Sequence, residues 1–479
     1  MPPIAAAALA VYLIAVLAVG FAWRRRAGRD DASYYVADRS LDTFWGFTGM
    51  ASLTTGGSTT IALAMLVYAK GVVGLWLDLA GVLGLLALGL FLARRVRREG
   101  AVTLPEIVGR YYGEPARRAA AALVVASEIA WFALLTEATQ VVLTAAFGLA
   151  PLTAILLSTA AFVAYTALGG QYAVVRTDLL QYGLMLVGIP GIALVSALRG
   201  AHGLSGLPDE VWRFPTSPVF TARDVLGMLI LIGLPHLVGS DVYAKLLSCR
   251  DEDTARRATL LAAGSKVLFG FSVAAIALAA RKALPPLDAA SGASALPYAV
   301  LGFAPPALSA IVLVSLVATM QTSADVVLLS ATAVTARDLA PSFLGRPLPL
   351  SSARLLPPVF GALGLATALS LNRDVLETLK LGYSIFAAGI ILPVLVALLP
   401  GRLRVPPRAA IAAMIAGGVT AVAGRFAPGL TGGWDPVIVG MGVNATVLVA
   451  ARLFGRKPAT DPSAATPPGT RRPAPPESG

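Results

Sequence analysis

Hydroxyl-bearing residues concentrate in two places where the surrounding sequence is apolar. The first is Ser52-Leu53-Thr54-Thr55-Gly56-Gly57-Ser58-Thr59-Thr60, in the middle of a hydrophobic run. Ser, Thr and Gly are mediocre helix formers, and two adjacent glycines weaken the hydrogen-bond ladder further. Unwound backbone at membrane depth is tolerated where it lines a cavity, and its freed carbonyls can then coordinate a cation. A small-residue face for close helix packing explains the same pattern equally well. The second place is Thr319-Met320-Gln321-Thr322-Ser323-Ala324-Asp325. Hydroxyl and carbonyl oxygens are the hard donors that Na⁺ prefers, by the logic that holds for other hard cations. Single Ser and Thr residues in helices bond back to their own backbone. A run of four polar groups plus a carboxylate supports a ligand set at least as strongly.

A third segment runs from Gly169 to Gln181 and carries Arg176-Thr177-Asp178. Paired glycines close one helix, and Thr177 is the expected N-cap of the next. Asp178 then either complements the helix dipole or takes part in transport. Charges buried in apolar runs are functional candidates by default. They are Asp78, Glu128, Glu137, Lys266 and Asp325. Glu128 stands near enough to the inner end of its run to snorkel. His236 follows Pro235, where a kink is expected, and reads as a hydrogen-bonded structural residue. No catalytic set is visible. Two distant histidines (His202, His236) and one cysteine (Cys249) leave no H-E-x-x-H motif, disulfide or Cys-based metal site.

Long apolar helices must position these groups. The chain has 479 residues, of which 57% are hydrophobic and 13% charged, with mean hydropathy +0.76. A soluble domain carries about 25% charge, so this chain cannot cover a water-facing surface. Thirteen spans are expected, at 4-23, 43-68, 71-93, 119-147, 151-170, 177-198, 223-246, 258-280, 305-334, 354-371, 376-400, 408-427 and 434-454. The first has no basic region before it and no clear cleavage site, so it reads as a retained span. The loops 199-222 and 281-304 are long enough for short surface helices.

The net charge of +12 does not point to nucleic acid, because the charges lie in short loops between apolar runs. With the N-terminus outside, 28 of the 38 Lys and Arg residues fall in inner loops, Lys245 among them, and nine fall outside; Lys266 alone lies within a span. That asymmetry is the positive-inside pattern. It places a multi-pass protein in the cell inner (plasma) membrane with its C-terminus in the cytoplasm. The lipid bilayer is then a partner, and no obligate protein partner is evident. The tail 456-479 is rich in Pro, Ala, Ser and Thr and reads as disordered.

Four segments carry a resemblance. Tyr34-Tyr35-Val36-Ala37-Asp38-Arg39-Ser40-Leu41 resembles the "Y-x-x-G-R-S-L" motif of the sodium:solute symporter family, that of the proline, pantothenate and glucose symporters. Gly169 to Gln181 is similar to its "G-G-x-x-A-V-x-x-T-D-x-x-Q" signature, and Thr322-Ser323-Ala324-Asp325 to its "S-T-A-D" element. The segment from Ala244 to Asp251, with Thr254-Ala255-Arg256, resembles its "Q-R-x-x-x-A-K-D…T-A-R" loop. The matches run in family order from about residue 30 to 400. Asp38 departs from the family Gly, and Ala244-Lys245 from the loop Gln-Arg.

The resemblance implies an all-α membrane protein with a LeuT-like core of two five-helix inverted repeats. These are spans 2-6 (43-198) and spans 7-11 (223-400), flanked by 1-42 and by peripheral spans 12-13 (401-455). Broken helices at spans 2 and 7 would hold substrate near the midplane. The family Na⁺ site maps onto the carbonyls of Ser52, Thr55 and Thr319 and the hydroxyls of Thr322 and Ser323. Thr59, Asp78 and Lys266 fall on substrate contacts, although Asp78 and Lys266 can equally form a structural salt bridge. Asp178 falls on the inner ion-exit path. The expected activity is Na⁺-coupled symport of a small polar organic solute (a carboxylate, amino acid, vitamin-like acid or sugar) by alternating access. Proton coupling or exchange on the same fold is the alternative, with a polytopic membrane enzyme behind it.

Overall fold

The computed structural model describes residues 2–27, 29–287, 294–371, 375–399 and 405–454; the expected tail at 456-479 lies outside them. Within the described residues the chain is helical, with only isolated β-bridges. Among the described residues, eleven helices are long and apolar enough to cross a membrane, twelve with the bent pair Thr43–Thr55 and Ser58–Lys70. The shorter apolar helix Pro151–Ala164 stands where the remaining expected span lies.

Local chemistry sets the helix ends. Asp42 accepts from the Trp45 amide and Asp251 from the Thr254 amide, the N-cap interaction. The Thr254 amide also holds the Asp251 carboxyl below its usual range. Proline occupies the first turn of spans 4, 5, 9 and 12, where a missing amide proton costs nothing. The loops 199-222 and 281-304 hold the short helices Asp209–Trp212 and Ala295–Phe303, as their length suggests.

Span 9 (Pro306–Leu344) is the axis of the bundle. Within its apolar window 94% of residues are buried, against 22% for span 1 (Pro3–Trp23) and 28% for span 13 (Pro436–Phe454). The peripheral helices therefore turn apolar side chains outward, as lipid-facing surfaces do. The loops sort onto two faces. On one, Arg94 pairs with Asp253 at 2.6 Å, Arg98 with Glu252 at 2.7 Å, Arg117 with Asp338 at 2.6 Å and Arg337 with Asp31 at 2.5 Å. On the other, Trp76 donates to the Pro215 carbonyl at 2.8 Å, and Lys282 to the Ala201 carbonyl at 2.8 Å. The first face gathers loops that the charge count assigns to the inside, and the second gathers outer ones.

The family-motif departure at residue 38 has a structural answer. Ala37, Asp38 and Arg39 all have positive φ (46°, 54° and 53°), a conformation that favours glycine. Asp38 holds it through two hydrogen bonds, accepting from Ser33 Oγ at 2.8 Å and from Tyr172 OH at 2.8 Å.

Candidate functional site

Span 2 breaks at Gly56-Gly57, and its two halves meet at 44°. Gly57 takes φ 68°, which a glycine adopts without strain. Its amide donates to the Thr319 carbonyl of span 9 at 2.6 Å, satisfying a group that the break would otherwise leave open. A Cβ at Gly56 would lie 2.6 Å from Ser52 O, 2.8 Å from Thr319 O and 3.1 Å from Thr322 Oγ1. The two polar clusters read from the sequence therefore touch at this point. Thr322 Oγ1 donates to Ser52 O and to Thr319 O, both at 3.1 Å, and Ser323 Oγ donates to Leu53 O at 3.4 Å. Ser52, Thr319 and Thr322 share one small space, with Ser323 beside it. The Thr55 carbonyl accepts from Thr60 Oγ1 at 3.1 Å.

At the break, a cavity is lined by Thr54, Gly56, Gly57, Thr59 and Ser323 together with Trp131, Tyr383, Asp241 and His236. Span 7 forms its far wall and is also broken. Its helix ends at Leu237, Val238 takes φ −135° and ψ 83°, and a new helix starts at Ser240. The kink expected at Pro235 is thus a full interruption. His236 Nδ1 lies 2.8 Å from Ile232 O; a carbonyl only accepts, so Nδ1 carries the proton. Asp241 is in the first turn after the break, where the amides face outward, and Val242 N donates to it at 2.8 Å. The Trp131 and Tyr383 rings stand 4.8 Å apart at 59°.

Thr59 lines the cavity. Asp78 and Lys266 do not. They form an ion pair at 2.8 Å, with both side chains buried, and Lys266 Nζ also donates to Thr54 O at 2.6 Å. Thr54 stands between the pair and the cavity. The geometry is the salt-bridge alternative, fastened to the broken span.

Asp178 is fully buried and pairs with Lys245 at 2.5 Å. Three expectations are corrected here. Thr177 is not an N-cap: the helix restarts at Gly170 (φ 55°), and Thr177 Oγ1 donates back to Ala173 O and Val174 O within it. Lys245 is not a loop residue: it is 1% exposed, in the core. Glu128 does not snorkel either. It is fully buried and accepts from Ser330 Oγ at 2.6 Å. Asp325 accepts from Thr166 Oγ1 at 2.9 Å, and Gln181 and Gln321 meet at the Tyr12 hydroxyl of span 1. Sequence reasoning misses Trp131, Tyr383 and Asp241. A carboxylate two residues after a glycine in an apolar run is the signal that could have exposed Asp241.

Two interrupted helices that converge on a polar cavity inside a helical bundle define a secondary transporter of the broken-helix type. The chain belongs to the sodium:solute symporter family, whose profile matches residues 34–417. It is 24% identical over 347 residues to the high-affinity choline transporter 1 of Drosophila melanogaster, covering 69% of this chain and 56% of that protein. The Caenorhabditis elegans protein of the same name is 24% identical over 291 residues, 57% of this chain and 49% of that one. The chain thus spans about half the length of the curated relatives it matches. Among solved structures, a Na⁺-coupled sialic acid symporter in its substrate-bound outward-open state superposes with TM-score 0.79 at 17% identity, covering 94% of this chain and 98% of that one. A nucleobase–cation-symport-1 family transporter, closed with bromovinylhydantoin bound, gives TM-score 0.55 at 14% identity, covering 89% and 97%. These likenesses establish the LeuT-like fold. The chain is a polytopic membrane transporter of a family built around Na⁺-coupled solute movement.

Proposed function

We propose that this protein is a Na⁺-driven symporter, not an enzyme, and that it takes up a small solute bearing an ammonium group. One observation carries the solute class. The cavity wall combines the Trp131 and Tyr383 rings with the Asp241 carboxylate, and no Lys or Arg lines it among the described residues. Aromatic faces attract a cation, the more strongly when it is desolvated, and a carboxylate adds charge complementarity. An anionic solute would meet Asp241 with no base to offset it. The choline transporter relatives support the same class.

Na⁺ binds where spans 2 and 9 touch, with Ser52 and Thr319 offering carbonyls and Thr322 and Ser323 hydroxyls. Thr55 belongs to the set through its carbonyl. The Thr322 hydroxyl donates to the two carbonyls that would share the ligand shell. Ion binding turns that hydroxyl so that its lone pairs face the metal. Thr59 contacts solute, the Asp78–Lys266 pair holds the break in place behind Thr54, and Asp178 receives the departing ion on the inner side. Spans 2-6 and 7-11 rock as two repeats around this centre. The N-terminus lies outside the plasma membrane and the C-terminus in the cytoplasm. An inward Na⁺ contributes about 2.3 kcal/mol per 100 mV of membrane potential.

Uptake into proteoliposomes tests the reading. Quaternary ammonium, zwitterionic, carboxylate and sugar solutes would each be offered with and without an inward Na⁺ gradient. Na⁺-dependent accumulation of ammonium solutes is expected, with Asp241→Asn weakening it at least tenfold. Accumulation of carboxylates or sugars alone would sink the solute class and leave Na⁺ coupling intact. Accumulation that follows a proton gradient would sink the coupling.

A further inference from the structure

Buried charge should be matched at membrane depth, and among the described residues several buried carboxylates, Glu128 included, form no ion pair. Asp78 has Lys266 and Asp178 has Lys245. Asp241 faces the central cavity, where a cationic solute would neutralise it. Glu128 has no such answer. Its side chain is fully buried, Ser330 Oγ bonds its Oε1, and its Oε2 has no hydrogen-bond partner among the described residues. A buried carboxylate oxygen without a partner is costly and rare.

The surroundings of Glu128 explain what could fill that position. Ser330 Oγ lies 2.9 Å from Ser240 Oγ. Three oxygens from three separate elements therefore form a connected set: Glu128 of span 4 (Glu114–Phe147), Ser330 of span 9 and Ser240 at the restart of span 7. Ser240 and Ser330 also line a second, small cavity, whose other walls include Tyr35, Val102 and Thr103 from the face that gathers the loops assigned to the inside. Asp241, next in sequence to Ser240, lines the central cavity. The set thus stands between the solute site and the inner face. The helix beginning at Ser240 offers about half a positive charge at its N-terminus, which cannot balance both Asp241 and Glu128. Glu128 itself lines neither cavity and reaches the second one through Ser330, which bonds it; Asp325 and its partner Thr166 line neither.

We propose that Glu128, Ser330 and Ser240 form a second site for a monovalent inorganic cation, Na⁺. A carboxylate with two hydroxyls is a hard-oxygen donor set, and its single negative charge matches a monovalent ion. More than one Na⁺ then moves with each solute. This inference rests on Na⁺-driven transport but not on the identity of the solute.

The test uses the purified full-length protein and proteoliposomes made from it. Equilibrium binding of radioactive ²²Na⁺ would be compared for wild type, Glu128→Gln and the double variant Thr322→Ala/Ser323→Ala. Glu128→Gln keeps the size of the side chain and the acceptor for Ser330. It is expected to bind one Na⁺ fewer per transporter, and the Hill coefficient for Na⁺ in uptake should fall from above one to one. Ser330→Ala and Ser240→Ala, which leave the carboxylate in place, should weaken the same ion at least tenfold. They carry the test should Glu128→Gln not fold. Unchanged Na⁺ stoichiometry in Glu128→Gln, or unchanged Na⁺ affinity in both Ser330→Ala and Ser240→Ala, would overturn the second site. Unchanged stoichiometry with an altered pH dependence of uptake would overturn it in favour of Glu128 as a proton carrier. If the Thr322/Ser323 variant also keeps full Na⁺ dependence, the primary sodium site has failed as well, so the two failures can be told apart.

Discussion

Consider the loss of Lys266. Its ammonium makes two contacts, an ion pair with Asp78 at 2.8 Å and a hydrogen bond to Thr54 O at 2.6 Å, and it is completely buried. Lys266→Met removes both. Asp78 is left as an uncompensated buried carboxylate, and breaking a buried pair in this way costs about 3–5 kcal/mol. The Thr54 carbonyl loses its donor, a further cost of about 1–3 kcal/mol. Because Thr54 sits two residues before the break in span 2 and lines the cavity, the damage should reach the transport site as well as the fold. Asp78→Asn should cost less, since Lys266 keeps the Thr54 carbonyl and the new amide oxygen as acceptors. The informative variant is Asp78→Asn with Lys266→Gln. It carries no charge, and the new amide can still donate to Thr54 O. Thermal unfolding of the detergent-solubilised protein should rank the double variant above Lys266→Met, with a coupling of at least about 2 kcal/mol in the double-mutant cycle of Asp78→Asn and Lys266→Gln. Uptake should return in step with stability. If the double variant is as stable as wild type but its half-saturating solute concentration rises at least tenfold with Na⁺ binding intact, the pair meets solute and the structural reasoning fails. Additive losses in the cycle would refute it too, because they would mean the two charges do not support each other.

Thr322→Ala with Ser323→Ala should raise the half-saturating Na⁺ concentration at least tenfold, about 1.4 kcal/mol of ion binding; normal Na⁺ dependence with measurable uptake would show the site to be elsewhere. Asp178→Asn strands the Lys245 ammonium, so folded protein should fall. Asp178→Asn with Lys245→Met should recover folded protein but not turnover if Asp178 lies on the exit path, and recovery of both in reconstituted uptake would make the pair purely structural. In a Cys249→Ala background, a membrane-impermeant maleimide should label Ser205→Cys in intact cells and Thr470→Cys only after lysis; labelling of position 470 in intact cells would invert the topology. Asp38→Ala keeps the positive-φ strain and loses both hydrogen bonds, about 2 kcal/mol in all, so its melting temperature should fall below that of Asp38→Gly, which relieves the strain.

What the sequence made legible was whatever residue type alone decides. Gly56-Gly57 inside a Ser/Thr-rich apolar run announces a break, and the polar run after Thr319 announces something for that break to face. Both are local facts about propensity and solvation. The contact between them is long-range, and only the family motifs linked them before the structure did. Partnerships were the harder part. Lys245 looks like any basic residue at the end of a span, and nothing local says that it turns inward to Asp178. Thr177 has the composition of a cap, but Gly169-Gly170 let the helix restart earlier, and a hydroxyl inside a helix simply bonds back to its own carbonyls. The aromatic pair eluded the sequence for a related reason. Trp131 and Tyr383 lie in apolar runs where any large side chain fits, and only the packing of span 4 against span 11 (Val375–Leu398) brings their rings together.

The geometry also bears on how ion and solute would be coupled. The residues that meet span 9 at the proposed Na⁺ site and the residues that wall the cavity belong to one short segment, Ser52 to Gly57. Ser52 O and Leu53 O take the hydroxyls of Thr322 and Ser323, while Leu53, Thr54, Gly56 and Gly57 line the cavity. An ion that draws Ser52 and Thr322 into its shell must fix this segment, and a solute held in the cavity meets the same backbone already fixed. Each ligand then lowers the ordering cost that the other would bear. Linkage makes the effect mutual: if Na⁺ raises solute affinity by some factor, solute raises Na⁺ affinity by the same factor. Lys266 strengthens the connection, because its hydrogen bond to Thr54 O ties the segment to spans 3 and 8. A rigid segment with no such tie could order around the ion without reshaping the cavity, whereas one held at Thr54 must transmit the change. The reciprocity is measurable in Na⁺ and solute binding to the same purified protein, and Lys266→Met, which removes the hydrogen bond to Thr54 O, should reduce both factors equally.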